Sequence, residues 1–399
     1  MTAVLVINSG SSSFKYQLIE MDAETTLARG LVESIGADES HIVHDVIDDD
    51  GAAESFEQTT QIPDHTAGFT AMLDAFADHG PSLAQHPPVA IGHRVVHGGA
   101  RFFEPTVITN LVKINIQDLS ELAPLHNPAN VEGITAAQQT FGDVPHVAVF
   151  DTAFHQTLPP EAFTYALDAD TAKRHRVRKY GFHGTSHKFV SEEAARFLDR
   201  DNAALNQIVL HLGNGASMTA VRGGESIDTS MGLTPLEGLV MGTRTGDIDP
   251  AVVFHLHRRA DMGVAELDEL FNTKSGIYGL SGLQDMRDLT EQANAGNEAA
   301  RTALDVYVHR LKQYLGGYVF QLGRVDTIAF TAGIGENSAQ VRAETLAGLE
   351  NFGVKMDAAR NERRSRGIRV ISADDSTVTV LVVPTNEELE IARQTLSAV

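Results

Sequence analysis

Three loops of this chain combine glycine with serine, asparagine or histidine, a composition typical of phosphate-binding loops. They are residues 8–13 (NSGSSS), 211–217 (HLGNGAS) and 331–337 (TAGIGEN). Glycine lets backbone amides approach an anion closely, and serine or asparagine side chains add hydrogen-bond donors. Each loop alone is more often an ordinary turn than a functional site. Together they predict a phosphate or nucleotide site.

Two familiar nucleotide-binding motifs are absent from the sequence. No G-x-x-x-x-G-K-[ST] segment occurs, and Gly333-x-Gly335 lacks the third glycine of a dinucleotide fingerprint. Two loops at hairpin tips and one at the start of a helix instead favour a nucleotide held between two duplicated lobes.

Charged residues beside apolar strands are the candidates for catalysis. Arg94 lies in GHRVVHGG (92–99), Arg244 in MGTRTGD (241–247), and Asp151 follows the apolar segment VAVF. A carboxylate at the end of a buried strand suits Mg²⁺ or a catalytic role. The alternatives are a turn cap for Asp151, a structural ion pair for Arg94, and ordering of its own loop for Arg244.

Histidines offer a second kind of chemistry. His183 and His187 have the i, i+4 spacing that can bind zinc on a helix, but no glutamate between them and no nearby thiolate supports such a site. His211 has no evident proton-transfer task, so an ordinary hydrogen-bonded histidine remains its alternative.

Strands and helices must position these residues. The segments 4–8 and 14–20 predict a hairpin, and 207–211 with 218–224 predict a second one. Helices are predicted over 66–79, 186–199, 249–260 (with Asp249 as N-cap and Pro250 at N1), 297–322 and 338–349. The mixture predicts an α/β fold, and the repeated hairpins suggest duplication of a domain-sized unit.

Length and composition restrict the class of protein. A chain of 399 residues exceeds one typical hydrophobic core, so two domains are expected. The net charge of −22 disfavours nucleic acid and anionic membranes as partners, and the basic run 173–179 reads as a solvated loop. The lack of cysteine excludes disulfides, thiolate metal sites and a cysteine nucleophile, and it suits a reducing cytoplasm. With neither a signal peptide nor a long apolar segment, we expect a cytoplasmic protein.

Nine ordered motifs together resemble the acetate kinase family, in the superfamily that also contains sugar kinases, actin and chaperone ATPases. They are NSGSSSFKYQLI (from Asn8), GHRVVHGG (from Gly92), APLHNPAN (from Ala123), FDTAFH (from Phe150), YGFHGTSH (from Tyr180), HLGNGAS (from His211), DTSMGLTPLEGLVMGTRTGDIDP (from Asp228), FTAGIGENS (from Phe330) and PTNEEL (from Pro384).

The resemblance implies two duplicated ribonuclease H-like lobes, as in the actin-like ATPase fold, with a central cleft. The N-terminal lobe would comprise 1–150 with 387–399, and the C-terminal lobe, which binds nucleotide and dimerises, would comprise 151–386. It implies a homodimer that transfers phosphate reversibly and directly between ATP and acetate, giving acetyl phosphate and ADP. Mg²⁺ would be required, with Mn²⁺ as a substitute.

The resemblance also assigns residues to the nucleotide and the metal. Asn8 and Glu387 correspond to the family's Mg²⁺ site, and Lys15 to a nucleotide contact. Phosphates and adenosine would be bound by His211, Leu212, Gly213, Asn214, Gly215, Asp285, Met286, Arg287, Gly333, Ile334, Gly335, Glu336 and Asn337.

For the acyl substrate, the resemblance places Arg94 on the carboxylate. Val96, Leu125, Phe182 and Pro235 would form a small apolar pocket for the methyl group. Asp151 corresponds to the family's catalytic acidic residue, and His183 and Arg244 to its transition-state stabilisers, which with Arg94 complete the catalytic set.

The chemistry limits what Asp151 must do. A carboxylic acid is ionised at pH 7, so acetate is already the nucleophile and needs no strong base. We therefore expect Asp151 to hold Mg²⁺ through water or to position the acceptor, while cations offset repulsion between two anions.

Two departures from the family leave substrate preference open. The segment 100–103 (ARFF) is less polar than in many relatives, and Asn130-Val131-Glu132 replaces a commoner histidine and aliphatic pair. A propionate or butyrate kinase would share every phosphate motif, and one methylene changes binding by only ~1–3 kcal/mol. A non-enzymatic, nucleotide-gated protein of the actin type is the alternative from another class.

Overall fold

Strands and helices alternate along the residues that the computed structural model describes, 2–48 and 50–399. The strands are β1 Ala3–Ser9, β2 Ser13–Glu20, β3 Thr25–Glu33, β4 Ser40–Ile47, β5 Ala53–Thr60, β6 Pro88–Val95, β7 Thr106–Val107, β8 His146–Phe150, β9 Asn206–Leu212, β10 Ala216–Arg222, β11 Glu225–Thr229, β12 Thr327–Thr331, β13 Arg369–Val370 and β14 Thr379–Val382.

The helices occupy most of the remaining chain. They are α1 His65–His79, α2 Asn110–Asp118, α3 Asn127–Thr140, α4 Pro160–Phe163, α5 Ala169–Arg174, α6 Gly184–Phe197, α7 Ala251–Ala260, α8 Val264–Thr273, α9 Gly276–Ser281, α10 Met286–Asn294, α11 Glu298–Leu322, α12 Ala332–Asn337, α13 Ala339–Leu346, α14 Ala358–Glu362 and α15 Glu387–Ser397. Short 3₁₀ turns occur at Leu119–Glu121, Ala153–Thr157, Asn202–Ala204 and Glu350–Phe352. None of the helices in the described ranges is long and apolar enough to cross a bilayer.

The chain divides into two compact units. The first is Met1–Ala153 with Asn386–Val399, and the second is Phe154–Thr385. The first boundary lies three residues later than we expected, and Asn386 joins the first unit. Residues 151–152 stay with the first unit because the Asp151 amide donates to the Val95 carbonyl at 3.0 Å and the Gly98 amide donates to Thr152 Oγ1 at 3.0 Å.

The first unit contains an eight-stranded sheet in the order β5-β4-β3-β2-β1-β6-β8-β7. Strand β1 runs antiparallel to β2 and parallel to β6, which runs parallel to β8. One face packs on α1 and α3 through a core that includes Leu5, Ile7, Phe14 and Phe69. On the other face α15 lies so close to β6 that a Cβ on Gly92 would clash with Thr395.

The second unit repeats this arrangement. Its six-stranded sheet has the order β11-β10-β9-β12-β14-β13, in which β9 is antiparallel to β10 and parallel to β12, and β12 is parallel to β14. Both sheets therefore contain three antiparallel strands in the order 3-2-1, followed by two parallel strands. This shared order is the ribonuclease H-like topology, so the α/β class and the duplication are both confirmed.

Two local predictions need correction. The third glycine loop is not a loop: residues 332–337 form helix α12, and Ser338 then caps α13 by accepting from the Val341 amide. Helix α7 begins at Ala251, so Pro250 occupies the N-cap position rather than N1. Asp249 still caps this end, since its carboxylate accepts from the Ala251 amide at 2.8 Å.

Candidate active site

Arg94 and Asp151 form a two-pronged ion pair in the first unit. Arg94 lies near the end of β6, and Asp151 directly follows β8, its parallel neighbour. The Nε of Arg94 donates to Oδ1 at 3.0 Å and its Nη2 donates to Oδ2 at 2.7 Å. The Asp151 side chain is 2% exposed and that of Arg94 is 24% exposed. The charge of Asp151 raises the pKa of Arg94, which therefore stays cationic.

This geometry leaves one side of the Arg94 guanidinium for a ligand. Asp151 uses the edge made by Nε and Nη2, while the edge made by Nη1 and Nη2 remains for a second planar acceptor. A guanidinium carries five N–H donors in a fixed fork, so it can bind two carboxylates at once. Arg94 therefore forms the structural ion pair that the sequence left open, and this pair is compatible with the predicted substrate-binding role.

Asn8, Lys15 and Glu387 also belong to the first unit. Asn8 and Lys15 are register partners across the β1–β2 hairpin. Glu387 begins α15; burial raises its pKa, Arg94 and Lys15 lower it, and Asp151 raises it. An amide oxygen and a carboxylate suit Mg²⁺, which keeps several waters and takes few protein ligands. The described residues contain no group of three or more acidic or histidine side chains that would form a complete metal cage.

Val96 and Leu125 differ sharply in exposure. Val96 is 8% exposed, whereas the side chain of Leu125 is 75% exposed. Asn130 is a residue whose role the sequence did not reveal: its Oδ1 accepts from the Val96 amide at 3.1 Å and its Nδ2 donates to the Ser9 carbonyl at 2.8 Å. Asn130 thus ties the end of β6 to the end of β1.

The segment 100–103, which is less polar than in many relatives, contributes partly to the hydrophobic core. Phe102 stacks on Phe150 with 4.5 Å between ring centroids and belongs to the core. Arg101 pairs with Asp118 at 2.8 Å, and Phe103 is 63% exposed.

In the second unit, His183 and His211 stack beside the glycine loop that follows β9. Their ring centroids are 4.2 Å apart with an interplanar angle of 23°. His183 has a left-handed backbone, φ 55°, at the start of α6, and its Nδ1 lies 2.8 Å from Ser217 Oγ. The Nδ1 of His211 lies 2.8 Å from Ser186 Oγ, so this histidine is hydrogen-bonded as its alternative reading proposed.

Arg244 is a cation without an acidic partner. Its Nη1 donates to the Pro235 carbonyl at 3.1 Å, and none of the described carboxylates forms an ion pair with it. Burial lowers the pKa of Arg244, although a guanidinium stays charged at neutral pH. A Cβ built on Gly215 would lie 3.6 Å from both Arg244 Nη1 and His183 Nε2. The two candidate stabilisers therefore converge on the glycine loop.

A cavity of about 1400 Å³ opens in the second unit beside this loop. Nine of the predicted nucleotide contacts line it: Gly213, Asn214, Asp285, Met286, Arg287, Gly333, Ile334, Glu336 and Asn337. His211, Leu212, Gly215 and Gly335 are not part of its lining. The volume exceeds that of typical small-ligand pockets and accommodates a nucleotide.

Several residues of this cavity escaped the sequence analysis. Arg342 and Arg369 line it, and both donate to the Glu336 carbonyl, at 3.0 Å each. Asp285 caps α10 and pairs with Arg287, whose hydrogen bonds lower the pKa of Asp285 to about 2. The signal available in the sequence was the run NERRSRGIR (361–369), which has no place in the family motifs that we used.

The other two acyl-site candidates lie in the second unit. Phe182 is 1% exposed, and its carbonyl bonds to His155 Nε2 at 2.9 Å. Pro235 is half-buried and orients Arg244 through its carbonyl. Val96 and Leu125 thus come from one unit and Phe182 and Pro235 from the other.

Duplicated ribonuclease H-like units, a glycine loop flanked by an arginine and two stacked histidines, and a nucleotide-sized cavity define a nucleotide-dependent phosphotransferase. Comparison with known proteins narrows this class. The family model described as the acetokinase family matches residues 3–393. The chain is 62% identical to the acetate kinase of Clavibacter michiganensis subsp. michiganensis, covering all of this chain and 99% of the relative.

Solved structures agree with this match. Porphyromonas gingivalis acetate kinase is 40% identical with a TM-score of 0.94, covering 100% of this chain and 99% of the other. A propionate kinase from Francisella tularensis is 39% identical with a TM-score of 0.92, covering both chains fully. The chain belongs to the acetokinase family.

Proposed function

We propose that this protein is an acetate kinase, which transfers the γ-phosphoryl group of ATP to acetate and gives acetyl phosphate and ADP, reversibly. A carboxylate oxygen of acetate forms a bond to the γ-phosphorus while the bond from that phosphorus to the β,γ-bridging oxygen of ATP breaks. No proton has to move, because acetate is ionised at neutral pH. The residues must therefore position two anions and offset their repulsion.

The observation that carries the proposal is the geometry of Arg94. Its Nε and Nη2 are fixed by Asp151, and its remaining edge matches a planar carboxylate. Asp151 acts in this scheme by holding Arg94 and setting which edge faces the acceptor. A nucleotide-gated binding protein without an acyl acceptor would have no use for this half-buried guanidinium with one edge left for a ligand.

In the second unit, Arg244 and His183 act on the transferred group. Both lie against Gly215. Donors that are fixed before the reaction stabilise charge on the phosphoryl oxygens without a reorganisation cost. We assign both residues to the transition state, and the residues of the cavity, together with Lys15, His211, Leu212, Gly215 and Gly335, to ATP.

Asn8 and Glu387 are the residues that would hold Mg²⁺, with Mn²⁺ as a substitute. The metal would supply electrostatic stabilisation of the charge on the phosphates. Their oxygen donors fit the preference of Mg²⁺ for hard ligands.

The methyl group of acetate is assigned to Val96, Leu125, Phe182 and Pro235. The alternative is a propionate kinase, favoured by the similarity to the Francisella tularensis propionate kinase and by the exposed Leu125 side chain, which offers little steric limit. The deciding measurement is kcat/KM for acetate, propionate and butyrate with hydroxylamine trapping of the acyl phosphate. We expect the highest value for acetate; a maximum at propionate would reject the acetate assignment, and no carboxylate-dependent ADP release would reject the kinase itself.

We further propose that the protein is a cytoplasmic homodimer. The reaction needs ATP, which supports the location, and exposed apolar side chains in the second unit, among them Phe254 at 59% and Phe320 at 78%, support a partner surface. Sedimentation equilibrium should give twice the 43.0 kDa chain mass. A monomer mass at micromolar concentration would reject the dimer.

A further inference from the structure

A serine hydroxyl links the His183 imidazole to a second, buried imidazole. Ser217 Oγ lies 2.8 Å from Nδ1 of His183 and 2.7 Å from Nε2 of His187. Ser217 and His187 are both fully buried. Ser217 lies in β10, His187 in the first turn of α6 and His183 at the N-cap of the same helix, so regular structure holds all three side chains in place.

The hydroxyl can donate its hydrogen to only one of the two histidines. If both histidines donated to Ser217, its buried hydrogen would lack an acceptor, because the described residues give Ser217 Oγ these two partners alone. A serine O–H has one donor and two acceptor positions. His187 is neutral, because burial and the neighbouring His155 and His211 hold its pKa well below the usual range. It therefore carries a single N–H, on Nδ1 or on Nε2.

The Nδ1 atom of His187 decides between the two arrangements. Among the described residues, this atom is buried and has no hydrogen-bond partner. If Ser217 donated to His187, the proton of His187 would sit on Nδ1 as a buried N–H without an acceptor. If His187 donates from Nε2 to Ser217, only an acceptor lone pair on Nδ1 is left unpaired, which is the more common exception in folded proteins.

The second arrangement fixes the proton on His183. Ser217 Oγ accepts a hydrogen bond from the His187 Nε2–H and donates its own hydrogen to Nδ1 of His183, so the proton of a neutral His183 is on Nε2. A proton on His183 Nδ1, as in the imidazolium, either forces the unfavourable arrangement back onto His187 or leaves the Ser217 hydrogen without an acceptor. His183 Nε2 is the atom that lies against Gly215 beside Arg244.

We propose that His187 and Ser217 are positioning residues that hold His183 as the neutral tautomer with its N–H on Nε2, directed at the transferred phosphoryl group. The proposal rests on the role assigned to His183 above. The His183 ring is already oriented by the stack on His211 and by its left-handed backbone. The hydrogen-bond chain from His187 through Ser217 to His183, here called the Ser217 relay, therefore decides which nitrogen of His183 donates. The stack on His211 decides where the His183 ring lies.

The first test reads the tautomer directly and needs no activity. Histidine labelled with ¹⁵N is incorporated, the His183 signals are assigned by their loss in His183→Gln, and the Nδ1 and Nε2 shifts are compared at pH 7.5. We expect protonated Nε2 and unprotonated Nδ1 in the wild type, and a mixture in Ser217→Ala. A proton on Nδ1 in the wild type overturns the proposal.

Ser186→Ala is the matched control. It removes the hydroxyl that bonds to Nδ1 of His211, the stacked neighbour, and leaves the Ser217 relay in place. We expect the His183 tautomer to be unchanged in this variant. A His183 shift as large as that in Ser217→Ala would show that general loosening, and not the relay, sets the tautomer.

The second test is kinetic. Ser217→Ala should lower kcat about tenfold, less than the ~100–1,000-fold expected when a stabilising donor is removed outright, with KM for ATP and acetate within twofold. Ser217→Thr, which keeps the hydroxyl, should recover most of the loss. Unchanged kcat in Ser217→Ala with an altered tautomer would reject the catalytic part of the proposal. If His183→Gln itself kept full kcat, the function assigned to His183 would fail while the tautomer result stood.

Discussion

At the scale of single residues, two arginines are oriented for an anionic substrate without being fully neutralised. Arg94 is held by a carboxylate that uses two of its five N–H donors, whereas Arg244 is held by a carbonyl and has no acidic partner among the described residues. Full pairing would neutralise the groups that must attract anions. Partial pairing fixes their geometry and leaves charge for the ligand.

Replacing Arg94 with lysine tests whether the guanidinium binds Asp151 and the substrate carboxylate at the same time. Lysine keeps the charge but presents one ammonium, which cannot hold Asp151 and a substrate carboxylate in two planar pairs. We expect KM for acetate to rise at least tenfold, or about 1.4 kcal/mol of lost binding, with KM for ATP within threefold. Steady-state kinetics with each substrate varied in turn is the measurement. An unchanged KM for acetate would remove Arg94 from the acyl site.

Arg244→Gln separates transition-state stabilisation from nucleotide binding. Arg244 does not line the nucleotide cavity, so the Kd for ADP should stay within threefold. By analogy with the loss of a single fixed donor, kcat should fall ~100–1,000-fold. Titration calorimetry gives the Kd and the hydroxamate assay gives kcat. The control is Arg222→Gln, an exposed arginine at the end of β10, which should change neither; a kcat above a tenth of wild type in Arg244→Gln would contradict the assignment.

At the scale of elements, periodicity and glycine-rich tips predicted both hairpins and the long helix α11, because those signals are local. The pattern 333–337 was misread as a loop, since glycine-rich sequence lowers helix propensity while the tertiary setting of β12 and α13 imposes a turn of helix. The sequence could not predict which edge of the Arg94 guanidinium pairs with Asp151, nor the Ser217 relay. Each depends on side chains that are 30 or more residues apart.

The packing of two loops predicts an effect of Gly242→Ala. The Gly242 amide donates to the Asn214 carbonyl at 3.0 Å, and an added Cβ would clash with the Asn214 side chain, which lines the nucleotide cavity. Asn214 must swing away, so we expect the Kd for ADP to rise about tenfold, measured by titration calorimetry. Gly317→Ala is the control: a Cβ there meets nothing within 4 Å in α11, and this change should stabilise the fold by about 0.5–1 kcal/mol without altering the Kd. Equal affinities in the two variants would show that the Asn214 side chain makes no contact with the nucleotide.

At the scale of the whole molecule, both units bury histidines that stay neutral. In the first unit, His93 and His146 lie with their ring nitrogens 2.8 Å apart, and burial lowers the pKa of both. In the second unit, burial does the same to His155 and His187. Protonation of these buried histidines would therefore lower the stability of both units at acidic pH.

His155 makes this sensitivity testable, because burial lowers its pKa to about 4 while an unfolded histidine titrates near ~6.5. Between these pH values the unfolded chain binds a proton that the folded chain does not. The contribution of neutral His155 to the free energy of unfolding is therefore complete above about pH 6.5 and is lost as the pH falls. The loss is up to ~1.4 kcal/mol per pH unit and about 3 kcal/mol in all. Urea unfolding at a series of pH values from about 7.5 to 5 should show the free energy of unfolding falling with pH. In His155→Gln, which can still donate to the Phe182 carbonyl, this dependence should be weaker by the equivalent of up to one bound proton. His309→Gln, on the exposed side of α11, should leave it unchanged. Parallel slopes for wild type and His155→Gln would mean that acid unfolds the protein through other groups.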